Sequence, residues 1–216
     1  FISNLYTKTT LSEIQTLVEV SATDIFNRAV AFVQENNYEN PDDRPLYWAR
    51  IKMEVALKCH PYFCNQHLGS IILLDTDLEE MIKLFEEKSR NYTGVDFSSN
   101  NPAFTAAYQQ NPNVKKILIS GFDPFFLKDN KDQWNPSGQA ILAIHGKVIG
   151  NGCIQSMVFP VRYDDFDKGY VEKYIYPHIS DVHMIVTISQ GLNRYDIERF
   201  ASKFRTKTTK DNLNVV

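Results

Sequence analysis

Lys115-Lys116-Ile117-Leu118-Ile119-Ser120-Gly121-Phe122-Asp123-Pro124-Phe125 decides the fold. Two lysines lead into a short apolar run that ends at Gly121. A continuous apolar run between punctuating residues predicts a buried parallel strand. Downstream, Asn135-Pro136 predicts a helix start, with Asn as the cap and Pro at the first position, where its missing N–H costs nothing. Ala140, Ile141 and Ile144 give that helix an apolar face. Cys153 to Val161 reads as a second strand, and Asp164 or Asp165 opens a helix carrying Phe166, Tyr170, Val171 and Tyr174. Val182 to Ser189 reads as a third strand and Glu198 to Arg205 as a last helix. Strand alternating with helix predicts a parallel sheet with right-handed crossovers. Ligands of such sheets bind beyond the carboxyl ends of the strands. That rule selects the loops Gly121–Phe125 and Gln190–Arg194. Neither is a glycine-rich phosphate loop. Ser189 before Gln190-Gly191 lacks the preceding glycine of a nucleophile elbow.

Upstream of this stretch the chain reads as helices. Thr10-Leu11-Ser12-Glu13 has capping-box spacing, and Leu11, Ile14, Leu17 and Val18 follow at helical steps. Ser21 to Asp24 offers a second start, with Ile25, Ala29, Phe32 and Val33 behind it. Residues 36–43 are turn formers. A further helix is predicted from Pro45 to Lys58, with Trp48, Ile51, Val55 and Ala56 on its apolar face. Thr76 to Glu79 is a third capping box, opening a helix that buries Leu78, Met81, Ile82 and Phe85. Its other face, with Glu79, Glu80, Lys83, Glu86, Glu87 and Lys88, reads as solvated. Asn91 to Asn113 is polar and reads as a linker with at most one short helix around Phe104 to Tyr108.

The 216 residues carry 23 Lys plus Arg against 26 Asp plus Glu, a net charge of -3. That balance argues against a nucleic-acid binder held by phosphate contacts. With 43% hydrophobic residues the chain has enough apolar surface for a core. No apolar run approaches the ~18 residues of a membrane span. Three cysteines, an odd number, suggest a reducing compartment and a cytoplasmic protein. The chain opens with Phe1, so the expectation is that its true start lies upstream. The sequon Asn91-Tyr92-Thr93 matters only in a secretory setting.

Cys59, His60, Cys64 and His67 gather thiols and imidazoles, the ligand types of zinc. Their spacing fits no common finger and no second ligand pair follows. The expectation is therefore a helix end with buried thiols, no metal and no cofactor.

Taken in order, Gly121-Phe122-Asp123-Pro124-Phe125, Asn135-Pro136-Ser137, Phe159-Pro160-Val161, Gln190-Gly191 with Arg194 and Ile197-Glu198-Arg199-Phe200-Ala201, and Asp211-Asn212 form a pattern. It resembles the front of pyroglutamyl peptidase I, also called pyrrolidone-carboxylate peptidase, over about residues 114–216. The resemblance implies an α/β fold, a three-layer parallel-type sheet of the pyroglutamyl-peptidase kind, present in part. It implies a domain division into a mostly helical part, 1–112, and the front half of the α/β domain, 113–216. It implies a metal-free thiol peptidase that removes pyroglutamate from peptide N-termini. A thiolate attacks the carbonyl, an imidazole moves the proton and a carboxylate orients the imidazole. By that match Glu198 is the catalytic carboxylate, Phe122 and Phe125 wall the pocket for the lactam ring, and Gln190 lines it. Read without the match, the two phenylalanines are loop packing and Glu198 is a first-turn acid of its helix. The family's catalytic Cys and His fall beyond Val216. The expectation is a longer natural chain or a second polypeptide that completes the domain, with no nucleic-acid or membrane partner. The alternative is a protein that keeps the fold without catalysis and serves binding or interaction. In that reading Tyr47, Trp48, Tyr62 and Phe63 are either a contact surface or the helical part's own core.

Overall fold

The computed structural model describes residues 1–35, 42–64, 76–191, 196–200 and 208–215. Helix α1 (Ile2–Leu5) leads to the first capping box. There the Thr10 N–H donates to Glu13 Oε2 at 3.1 Å and the Glu13 N–H to Thr10 Oγ1 at 3.4 Å. Helix α2 (Leu11–Glu35) then runs unbroken for 25 residues, about 37 Å at the α-helical rise. The second start expected at Ser21 to Asp24 does not interrupt it. Its buried stripe, Ile14, Val18, Ala22, Phe26, Ala29 and Val33, keeps the register set by the first turn. Phe26 is therefore inside and Phe32 is 42% exposed, the reverse of what a restart predicts.

Of the four apolar residues predicted for helix α3 (Arg44–Lys58), Ala56 turns inward and the other three do not. Leu46, Arg50, Met53, Ala56 and Leu57 are buried, while Trp48, Ile51 and Val55 are exposed. An arginine holds the inward position because a buried carboxylate pairs with it, as described below. Helices α4 (Pro61–Cys64) and α5 (Thr76–Ser89) complete the helical part. Leu5, Ile14, Val18, Met53, Leu57, Phe63, Leu78, Met81 and Phe85 form its core.

Residues 91–113 are not a solvated linker. Tyr92, Phe97 and Phe104 are buried, and α6 (Pro102–Gln110) is capped by Asn101, which accepts from the Phe104 N–H at 3.0 Å. Asn91 of the sequon sits at φ 61 and its amide donates to the Ser156 carbonyl at 2.7 Å. That buried bond gives it a structural duty.

The sheet comprises β1 (Lys115–Phe122), β2 (Val148–Ile149), β3 (Gly152–Phe159) and β4 (Met184–Thr187), in the order β2-β3-β1-β4. β1 is parallel to β3 and to β4, but β2 is antiparallel to β3, so the sheet is mixed rather than purely parallel. Phe122 faces Phe159, so β1 and β3 end level. Helix α7 (Pro136–Ile144) and the second half of α2 cover one face. Here Phe26, Ala29, Val33 and Leu46 pack with Ile119, Ile141, Leu142, Ile154 and Val158. The opposite face carries α8 (Tyr163–Asp167) and α9 (Tyr170–Ile175). Tyr174 and Ile175 pack there with Tyr92, Leu118, Met157 and Phe159. Leu118 and Ile119 serve opposite faces, as strand alternation requires. Gly169, at φ 73, splits into two the single helix expected after Asp164. The last expected helix, 198–205, is not helical at 198–200, and the rest of it lies outside the described residues. The architecture is α/β with three layers. Among the described residues no helix is long and apolar enough to cross a membrane.

Candidate functional site

The carboxyl end of β1 delivers Asp123 to a buried position, 2% exposed. The loop behind it is pegged by Asn135 and Ser137. Asn135 Oδ1 accepts from the Ser137 N–H at 3.0 Å and from Ser137 Oγ at 2.8 Å, and its amide donates to the Asp123 carbonyl at 2.8 Å. Ser137 Oγ accepts in turn from the Phe122 N–H at 3.0 Å. A Cβ at Gly121 would lie 2.5 Å from the Ser137 carbonyl oxygen, so this close crossing of β1 and α7 needs glycine.

From the helical side, Asp43, Tyr47 and Arg50 lie on one face of α3 at steps of four and three. Arg50 pairs with Asp123 Oδ1. Arg90, just beyond α5, donates to Asp123 Oδ2 at 2.7 Å and pairs with Glu86. Arg162, just beyond β3, reaches Glu86 at 3.2 Å and Asp165 at 2.6 Å. Three guanidiniums and three carboxylates thus form one chain of ion pairs across α3, α5, β1 and α8. Burial alone would raise the Glu86 carboxyl, but Arg90 and Arg162 outweigh it and hold it at about 2. Glu86 and Glu87 were expected on a solvated face. Glu86 is instead in this network, and Glu87 accepts from the Tyr174 hydroxyl at 2.7 Å.

Asp43 stands next to the network. Its Oδ1 accepts from the Asn135 N–H at 3.1 Å, while Oδ2 has no hydrogen-bond partner among the described residues. Burial, opposed by that N–H and reinforced by the nearby Asp123, pushes its carboxyl up to about 7. Two nitrogens of Arg50, Nε and Nη1, are likewise unpartnered among the described residues.

A cleft of about 470 Å³ opens over this end of the sheet. Tyr47 forms one wall, Phe126 to Asp129 a second, and Thr208 to Asn212 with Asn214 a third. The Tyr47 hydroxyl is held in its neutral form by burial and by Asp123. Phe126 adopts φ 61, a left-handed conformation uncommon for an aromatic side chain. The third wall is clipped in place by two residues. Asp211 accepts from the Tyr163 N–H at 2.9 Å and the Leu213 N–H at 2.8 Å. The Asn212 amide donates to the Pro124 carbonyl at 2.8 Å, and its N–H to the Val161 carbonyl at 3.0 Å. Lys128 and Lys210 contribute exposed positive charge to the lining, and Asp129 an exposed carboxylate.

The four residues singled out in the sequence fall elsewhere. Phe122 packs half-buried against Phe159 and Phe166, with ring centroids at 6.4 and 5.8 Å. Phe125 lies against Phe126, centroids 4.4 Å apart. Gln190 and Glu198 are exposed. None of the four belongs to the described lining of the cleft. The residues that build the site, Asp43, Tyr47, Arg50, Glu86, Arg90 and Arg162, carry no local motif. The one available signal was the Glu86–Arg90 spacing of four at a helix end.

Residues 1–66 match the family model described as PA0049 N-terminal domain. Residues 116–215 match the one described as PA0049, C-terminal domain. The chain is similar to PA0049. No curated protein and no solved structure gives a significant match. These matches overturn the resemblance to pyroglutamyl peptidase I, because neither model belongs to that family. The short motifs that carried the resemblance have local duties in the PA0049-like chain. Asn135-Pro136-Ser137 caps a helix, Asp123 closes an ion network, and Asp211-Asn212 clips a loop. With the resemblance goes the basis for reading Glu198, Phe122, Phe125 and Gln190 as a lactam-cleaving site.

The cysteine and histidine cluster resolves differently from its sequence reading. Cys59 caps the end of α3, but both Cys59 and Cys64 are exposed rather than buried. His60 is the buried member. Its Nε2 lies 3.0 Å from the Leu5 carbonyl oxygen and its Nδ1 accepts from the Tyr62 N–H at 3.2 Å. Both ring nitrogens therefore hold the backbone. His67 lies outside the described residues, among which no group of ligands suited to a metal ion forms.

Proposed function

We propose that the chain is a binding protein whose cleft at the carboxyl end of β1 takes a small molecule with an anionic group and a flat apolar part. The cleft between Tyr47, Phe126 and the clipped segment Thr208 to Asn212 carries this reading. Its place is where open parallel sheets hold ligands, and its size falls within the range of small-molecule sites. Tyr47 and Phe126 offer aromatic faces, while Lys128 and Lys210 offer charge. The left-handed Phe126 fits a rim residue held in place for recognition. Cys153 is buried in β3, and neither Cys59 nor Cys64 lies in the described lining, which favours binding over thiol chemistry here.

Calorimetry with benzoate, phenyl phosphate, adenosine monophosphate and uncharged benzamide tests the reading. At least one ring-bearing anion should bind, benzamide should not, and Lys210→Ala or Phe126→Ala should weaken binding about tenfold, roughly 1.4 kcal/mol. Absence of heat with all three anions, or equal binding by both variants, rejects it.

A further inference from the structure

We infer that Cys59 and Cys64 are a redox pair that closes reversibly into a disulfide at the corner between α3 and α4. Both thiols are free and exposed, whereas Cys153 is buried. Cys59 is the residue that caps α3, and α4 ends on Cys64. The backbone folds back between them, with the Cys64 N–H donating to the His60 carbonyl at 3.0 Å. The Cys64 thiol itself donates to the Lys58 carbonyl at 3.2 Å. That carbonyl belongs to the peptide joining Lys58 to Cys59, and a trans peptide holds its oxygen about 2.8 Å from the following Cα. The Cys64 sulfur is therefore no more than about 6 Å from the Cys59 Cα, and a bridge requires the two Cα atoms to lie within about 7 Å of each other. Rotation of the two exposed side chains supplies the remaining approach. His60 anchors the corner while this happens, because its ring is fixed between Leu5 and Tyr62.

The oxidant is a small-molecule disulfide. The Cys59 thiol loses its proton and its sulfur attacks one sulfur of the disulfide, which expels one thiolate and leaves a mixed disulfide on Cys59. The Cys64 thiol loses its proton in turn, and its sulfur attacks the Cys59 sulfur and expels the second thiolate. Two protein thiols are oxidised, one disulfide is reduced to two thiols, and the two protons end on those thiols. The bridge pins the far end of the helix whose first turns wall the cleft.

The test treats the reduced full chain with oxidised glutathione, alkylates what remains, and reads intact mass and peptide map. The expected product is two hydrogens lighter, carries a Cys59–Cys64 link, retains an alkylatable Cys153, and returns to the starting mass with dithiothreitol. Cys64→Ser should instead stop at one stable glutathione adduct on Cys59. Two persisting adducts on the unaltered chain, or unmodified Cys59 and Cys64, overturn the inference. A Cys64→Ser chain that takes up no glutathione overturns the order of attack and with it the proposed pair.

Discussion

Two seams join the helices of residues 1–89 to the sheet, and they are built from opposite materials. In the first, Phe26, Ala29 and Val33 of α2 meet Ile141, Leu142, Ile154 and Val158 with apolar surface, and Gln34 adds uncharged hydrogen bonds to the Leu142 and His145 carbonyls at 3.1 and 2.9 Å. In the second, Arg50 and Arg90 pair with the buried Asp123, the residue after β1. Apolar contact is additive and tolerant of shape. Buried ion pairs contribute little net stability, yet removing one partner leaves an uncompensated charge. The apolar seam therefore supplies the stabilisation, and the ionic seam sets which helix face and which loop meet. That division explains why α3 turns Arg50 inward and leaves Trp48, Ile51 and Val55 at the surface.

The largest expected effect follows from the ionic seam. Asp123→Ala leaves both Arg50 and Arg90 facing a missing partner, and urea unfolding should show a loss of about 3–5 kcal/mol. Replacing all three charges, with Asp123→Leu, Arg50→Met and Arg90→Met together, should recover most of that loss. If the triple variant is as unstable as the single one, the pairs themselves supply the stability and the comparison fails. On the apolar side, Ile141→Ala should cost about 3 kcal/mol, through lost transfer energy and a cavity. A cost below about 1 kcal/mol would show a seam able to collapse around the gap.

The two seams differed in the same way in how far the sequence revealed them. The apolar seam was legible: the run Ile117 to Ile119 and the apolar face of Ala140, Ile141 and Ile144 placed a strand and its covering helix. The capping box at Thr10 and the cap at Asn135 were legible too, because both are local in sequence. What failed was the choice of face. In α2 the register persisted through Asp24, since a helix needs no fresh cap where packing continues. In α3 the hydrophobic stripe was a false guide, because the pairing of Arg50 with Asp123, 73 residues away, outweighed it. The cleft was legible only as a place, the loop after β1. Its walls come from residues 47, 126–129, 208–212 and 214, which no spacing rule connects.

A pH-dependent effect separates Asp43 from the ion pairs beside it. Its carboxyl titrates at about 7 in the fold, against an ordinary value of 3.8. Between those values the folded chain holds a proton that the unfolded chain has released, so stability falls as pH rises from about 4 through about 7. Glu86 behaves in the opposite sense. Its carboxyl is held at about 2 against an ordinary 4.5, so its contribution is present above about 4.5 and is lost as pH falls toward 2. Asp43→Asn cannot titrate and keeps an oxygen that can accept from the Asn135 N–H, so its stability relative to the unaltered chain should rise by about 4 kcal/mol from pH 4 to pH 8. Equal stability at both pH values would place the Asp43 carboxyl in ordinary solvation.

The smallest expected effect concerns Glu198, the residue that the resemblance marked as catalytic. Glu198 is exposed, beyond the carboxyl end of β4, and makes no hydrogen bond or ion pair among the described residues. A side chain in that setting belongs to neither seam, and its removal leaves no buried charge and no cavity. Glu198→Ala should change unfolding free energy by less than about 0.5 kcal/mol and leave ligand binding in the cleft unaltered. A loss of binding without a loss of stability would move the site from Tyr47 and Phe126 toward the loop after β4. The opposite result, a loss of stability alone, would mean that the segment around Glu198 forms a third seam.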